Sequence, residues 1–199
     1  MESEDIDTNG DVIFVVGSPG VRFRVSSHIV SAASPVFKAM FNGVFAEGQG
    51  LSRESPKEIP LPEDEVENVR LFCLISHFRN LDIPNRVAAK QLRDFAIFVD
   101  KYNCAVTMYL AIEKWFTLIA RSDSGDDLAY LIEVSRNFNE PEWFKKTTMS
   151  YTYKAETQQF DGHLLRTALS DNLLRQLADQ ARRAREYLIK TIEEQCWVP

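Results

Sequence analysis

The chain opens its patterned region with DVIFVV, Asp11 to Val16, an unbroken β-branched and aromatic run of the kind expected of a strand buried on both faces. The glycines and proline of Gly17-Ser18-Pro19-Gly20 supply a turn. VRFRV then alternates strictly, with Val21, Phe23 and Val25 on one face and Arg22 and Arg24 on the other, so a hairpin with one half-exposed strand is predicted. Ser26 or Ser27 stands where a helix N-cap belongs. Ser34-Pro35 repeats the signal, a hydroxyl cap followed by proline at the first helical position. Two short helices are expected, over 27–33 and 35–41.

Glu47 to Lys57 reads as a polar loop, and EIPLP as a short extended segment ended by Pro62. Asp64, with Glu67 three residues on, resembles a capping box for a helix whose apolar stripe is Val66, Val69, Phe72, Ile75 or Ser76, and Phe78 or Arg79. A cleaner stripe follows in Ala88, Leu92, Phe95, Ala96, Val99 and Tyr102. A third runs through Met108, Ile112, Trp115, Phe116 and Ile119. The polar segment Arg121 to Asp127 marks a boundary. Helices are expected beyond it near Leu128 to Phe138, Glu142 to Tyr153 and Asp171 to Cys196. In the last, Leu174, Leu177, Ala181, Ala184 and Leu188 fall on heptad positions, too few for a coiled coil and suited to packing on the protein's own body. Residues 1–9 are acidic and polar and read as a flexible tail.

Composition narrows the function. With 45% hydrophobic and 11% aromatic residues in 199, the chain can bury a core of ordinary size. A net charge of −6 argues against nucleic acid or an anionic membrane as partner. No apolar run approaches the ~20 residues that span a bilayer, and the acidic N-terminus is unlike a targeting signal. An intracellular protein, cytoplasmic or nuclear, is expected. Cys73, Cys104 and Cys196 show neither CxxC nor Cys/His spacing, so neither a disulfide framework nor a zinc site is encoded.

Catalytic chemistry finds no foothold. Ser26, Ser27 and His28 are adjacent, and neighbouring helical residues point apart, so they do not make a nucleophile and its base. His28 and Ser31 can meet at i,i+3, yet no orienting acid, oxyanion hole or GxSxG elbow accompanies them. GSPG lacks the spacing and lysine of a phosphate loop. His77 and His163 have no partner at ligand spacing, and the basic ARRAR at 181–185 is answered by Glu186, Glu193 and Glu194. An enzyme would need a cleft of converging titratable groups, and none is singled out. An apolar cluster of Met40, Phe41, Val44 and Phe45 does border a glycine-rich loop, and this edge is the expected partner surface.

Taken in order, GDVIFVV, FRV, SPVFKAMF and VDKYNC resemble the BTB/POZ domain over roughly Asp11 to Arg121. EGQGLSRESPKEIPLPEDE and RNLDIP are further similar to the stand-alone version widespread in filamentous fungi. The resemblance implies an α+β fold, a small β-sheet flanked by helical hairpins, serving protein–protein association without catalysis or cofactor. The expected organisation is a tail over 1–9, the BTB/POZ domain over 10–122 and an all-helical extension over 126–199. Self-association or capture of a protein partner is the expected function. The alternative is an adaptor docking on a cullin scaffold of a ubiquitin ligase. Members that do so carry a hydrophobic-x-Glu triplet after the Met-Phe pair, where this chain has Phe45-Ala46-Glu47. The chain departs from many relatives in carrying Val25-Ser26 for an Ala-His pair. It also has only nine residues before Gly10, where strand-exchanged dimers have a helix and a strand.

Overall fold

Val12–Val16 is one of the two inner strands of a four-stranded sheet. The computed structural model describes residues 3–18, 20–122 and 124–157, with scattered helical positions between 172 and 191. The strands are β1 (Ser3–Asp5), β2 (Val12–Val16), β3 (Val21–Val25) and β4 (Lys57–Leu61), in spatial order β1-β3-β2-β4. β2 and β3 form the expected antiparallel hairpin, while β4 pairs parallel with β2 and β1 parallel with β3. Val12, Phe14, Val16, Phe23, Val25, Ile59 and Leu61 share the buried face. Ile13 and Val15 are only half-buried, which corrects the expectation of a strand buried on both sides. In register beside them stand Arg24, Glu58 and Arg22; Arg22 pairs with Glu58, and Arg24 donates to Gly10 O and Arg53 O.

β1 corrects the reading of residues 1–9 as a flexible tail. Its sequence, Ser-Glu-Asp, has no apolar alternation. Order comes from outside the segment. Arg70 Nε donates to Glu4 Oε2 at 2.7 Å, the Ile6 and Asp7 N–H groups both donate to Arg24 O, and Ile6 is 5% exposed.

Among the described residues, the continuous helices are α1 (Ser27–Ala33), α2 (Pro35–Met40), α3 (Val66–Ser76), α4 (Ala89–Lys101), α5 (Ala105–Ile119), α6 (Gly125–Asn137) and α7 (Pro141–Thr157). Phe37 of α2 holds the core together. Its ring lies 4.6 Å from Tyr102, 5.1 Å from Phe14 and 5.3 Å from Phe72. The aromatic chain continues through Phe98 and Phe95 to Trp115, whose indole N–H donates to Pro84 O at 2.9 Å. Such contacts add to the area each ring buries.

The helix starts differ from the local caps expected of them. Ser34 does cap α2, accepting from Phe37 N at 3.2 Å while donating to Tyr102 O at 2.6 Å. Ser26, at the N-cap of α1, makes no side-chain cap bond. Asp11 takes that role from across the fold, accepting both the N–H and the hydroxyl of Ser27 at 2.7 Å. A carboxylate there also suits the helix dipole. Asp64 does not cap α3, whose N-cap is Glu65. It is drawn instead to Tyr102 Oη and Lys101 Nζ, both donating at 2.7 Å.

The helix ends share one device. In α3, α4 and α6 a residue at positive φ, Phe78, Asn103 or Asn139, closes a paired hydrogen-bond motif. Arg79 N reaches Leu74 O, Cys104 N reaches Val99 O, and Glu140 N reaches Ser135 O. This is the Schellman ending, normally built on glycine or asparagine. Phe78 is the exception, and it is 79% exposed rather than part of the α3 stripe.

The chain divides into two compact units, 1–115 and 116–199, a division inside α5 and ahead of the polar segment at 121–127. In the second unit, Ser124 caps α6, accepting from Asp127 N at 3.3 Å. α6 and α7 form a hairpin joined through Phe138–Glu140, and Trp143 stacks on Phe116 at 4.5 Å. The heptad positions 174, 177, 181, 184 and 188, with His163 and Cys196, lie outside the described residues.

Candidate protein-docking site

The residues singled out as partner surface gather on one loop. Phe41 ends α2, its N–H donating to Phe37 O at 2.9 Å and its ring stacked on Phe37 at 6.2 Å. Met40 and Phe41 are therefore half-buried and root the loop in the core. Beyond them the chain turns outward. Val44 is 73% and Phe45 53% exposed, and Glu47 is half-buried in a short 3-10 turn, Ala46–Gly48.

The backbone, not side-chain packing, keeps Val44 and Phe45 in water. Gly43 has φ +83°, a conformation that favours glycine. Gly48 lies so close to the start of the loop that a Cβ there would sit 2.7 Å from Gly43 N and 2.9 Å from Met40 O. Lys57, at the start of β4, lies across the loop and donates to Ala46 O and, at 2.9 Å, to Gln49 O. Val44 N bonds to Asn42 Oδ1 at 3.0 Å, and Gln49 Nε2 to Gly43 O at 3.4 Å. The result is a closed loop that carries two apolar side chains outward and keeps Glu47 beside them. A preformed loop loses little entropy on binding, which favours association. The lysine clamp went unseen in the sequence, because Lys57 is ten residues past Glu47 across a polar stretch.

A second apolar surface was not anticipated. α1, α5 and the 75–83 segment enclose a groove of about 590 Å³ lined by Ile29, Ile75, Phe78, Ile83, Leu110 and Trp115 among others. Phe78 and Leu110 stand at its lip, 79% and 77% exposed. The strained φ of Phe78 was the missed signal, since a phenylalanine at φ +59° is invisible before the helix end is known.

Among the described residues lining the groove, Lys114 is the one ionisable side chain, and it donates to Asn85 Oδ1 at 3.1 Å. The groove hydroxyls are already engaged, Ser76 donating to Phe72 O and Thr107 to Ala33 O. The strongly shifted groups lie elsewhere. Burial pushes the Cys104 thiol up to about 12 and raises Cys73 and Tyr102 still further, Tyr102 also because it donates to Asp64. These thiols are buried and inert. His28 is exposed and Ser31 half-buried, with no hydrogen bond between them. Among the described residues no cluster of histidine, cysteine and carboxylate side chains is placed to hold a metal, and no helix is long and apolar enough to cross a membrane.

Comparison with known proteins agrees with this architecture. The chain is 30% identical over 135 residues to BTB/POZ domain-containing protein 6-B of Danio rerio, an alignment covering 66% of this chain and 25% of that protein, so it spans about a quarter of that relative. BTB/POZ domains are generally non-catalytic modules for protein–protein interaction. The family model for the BTB/POZ domain matches residues 2–104, from β1 to the end of α4, and the chain belongs to the BTB/POZ family.

Proposed function

We propose that this protein is a non-catalytic docking module whose partner surface is the 42–49 loop. One observation carries the reading: Val44 and Phe45 are held 73% and 53% exposed by a backbone closed through Gly48 and the Lys57 clamp. Exposing apolar area on a rigid loop has no folding benefit and is what an interface hot spot requires. Docking on a cullin scaffold is the specific form that the Phe45-Ala46-Glu47 triplet favours, with Phe45 as apolar anchor and Glu47 as the charged neighbour. Capture of a purified cullin N-terminal region is expected for the wild type. Phe45→Ala with Glu47→Ala should lower its affinity at least tenfold while leaving thermal stability unchanged, because neither side chain holds the core. Equal capture by the double variant would remove the cullin reading.

Self-association is the second reading, supported by the groove and its exposed Phe78 and Leu110. Light scattering should then show a dimer or larger species. A strict monomer at high micromolar concentration contradicts it.

A further inference from the structure

Three serines precede proline among the residues shown, and their surroundings differ. Ser34 is fully buried and caps α2. Ser18 is exposed in the tight β2–β3 turn beside Gly17, where φ is +64° and the backbone is not extended. Ser55 is exposed in the irregular stretch between the 3-10 turn and β4, ahead of Pro56. A residue before proline is pushed into the extended region. Ser55, at the last of three successive bends over 53–55, therefore offers an accessible Ser-Pro segment outside regular structure, where a kinase active site can take it up.

The position of Ser55 gives the modification a consequence. Ser55 is two residues from Lys57, the residue that clamps the docking loop, and two residues of chain span at most ~7 Å, so a phosphate on Ser55 comes within reach of that ammonium. Arg53 lies two residues before it, its carbonyl held by Arg24 at 2.8 Å. Glu54, the nearest like charge, accepts from the Ser52 hydroxyl at 2.6 Å. A phosphoserine carries a charge of about −1.5 to −2 near neutral pH and three strong acceptor oxygens. An ammonium bonded to neutral carbonyls is drawn to such a group, since charge-assisted bonds are roughly twice as strong.

We propose that Ser55 is a phosphorylation site for a proline-directed serine/threonine kinase, and that its phosphate frees the 42–49 loop by drawing Lys57 away from Ala46 O and Gln49 O. In the transfer, the Ser55 Oγ–P bond forms and the bond between the β,γ-bridging oxygen and Pγ of ATP breaks. ADP departs, and the hydroxyl proton passes to the kinase base and then to solvent. Modification so placed would tune docking at Val44 and Phe45. That consequence rests on the function proposed above, whereas the site and the loop release do not.

The test treats the full chain with a purified proline-directed kinase and Mg-ATP, locates phosphate by mass spectrometry and follows hydrogen exchange at amides 43–49. One phosphate on Ser55 is expected, lost in Ser55→Ala, with exchange of the loop faster by about fivefold or more. Lys57→Met, which keeps the stem and removes the charge, should speed the loop similarly without kinase, and phosphorylation should then add nothing. No phosphate on Ser55 under conditions that modify a peptide spanning 49–60 overturns the proposal. So does a phosphorylated chain whose loop exchanges at the wild-type rate, the outcome if Arg53 takes the phosphate instead. Neither readout needs a docking partner, so a failure here is distinct from a failure of the docking reading.

Discussion

Phe37 shows how one side chain joins the two hairpins of the core. It touches a strand, a helix and the end of the next hairpin through Phe14, Phe72 and Tyr102, and it is 0% exposed. Phe37→Ala should cost about 3–5 kcal/mol in a chemical denaturation curve, since rings on all sides hinder collapse of the cavity. A loss below ~1 kcal/mol would show that the aromatic chain is not the core. Its place was legible from Ser-Pro-Val-Phe, where cap and proline fix the helix start and so the face. Asp11 and Asp64 were not legible. Both carboxylates serve partners far along the chain, Ser27 and Tyr102 with Lys101, and local spacing carries no sign of such pairings.

The elements were legible wherever periodicity is strong. Observed α1 and α2 fall within a residue of the 27–33 and 35–41 expected, and the β2–β3 hairpin has the expected alternation on β3. β1 was missed because backbone pairing and the Glu4–Arg70 ion pair order it rather than hydrophobic pattern. Two predictions belong here. In Phe78→Gly, glycine relieves the positive φ at the end of α3, so stability should rise by about 0.5–1 kcal/mol after allowing for glycine's greater freedom when unfolded. If it falls instead, the exposed ring contributes contacts that its position does not reveal.

The second concerns the joint between α1 and α3. His77 accepts the Ser26 N–H at Nε2, at 3.1 Å, and bonds Cys73 O through Nδ1 at 2.8 Å, so the ring is required neutral. Burial is the main cause that lowers its pKa below 6.5, opposed by the Cys73 carbonyl and Asp7 and aided by Arg79. A depressed histidine pKa means that the unfolded chain takes up the proton first. Stability is therefore full above ~7.5, declines as pH falls through the unfolded value near 6.5, and levels off below the folded pKa. His77→Gln should flatten the urea-midpoint profile across this window. An unaltered profile would place the titration elsewhere.

Beyond the core, exposed apolar side chains stand at several places among the described residues, and the 42–49 loop and the groove under Phe78 and Leu110 are two of them. The loop was legible as an apolar cluster beside glycines. The groove was not, because it is assembled from α1, α5 and the 75–83 segment, which only the folded chain brings together. The measurement that bears most on the docking reading is site-specific photo-crosslinking in the native cell, with a benzophenone side chain at position 45 and, as control, at position 149, which is somewhat more exposed. The loop reading predicts a discrete protein adduct at position 45, weakened by Glu47→Ala and absent at 149. Adducts of equal yield and identity at both positions would contradict it.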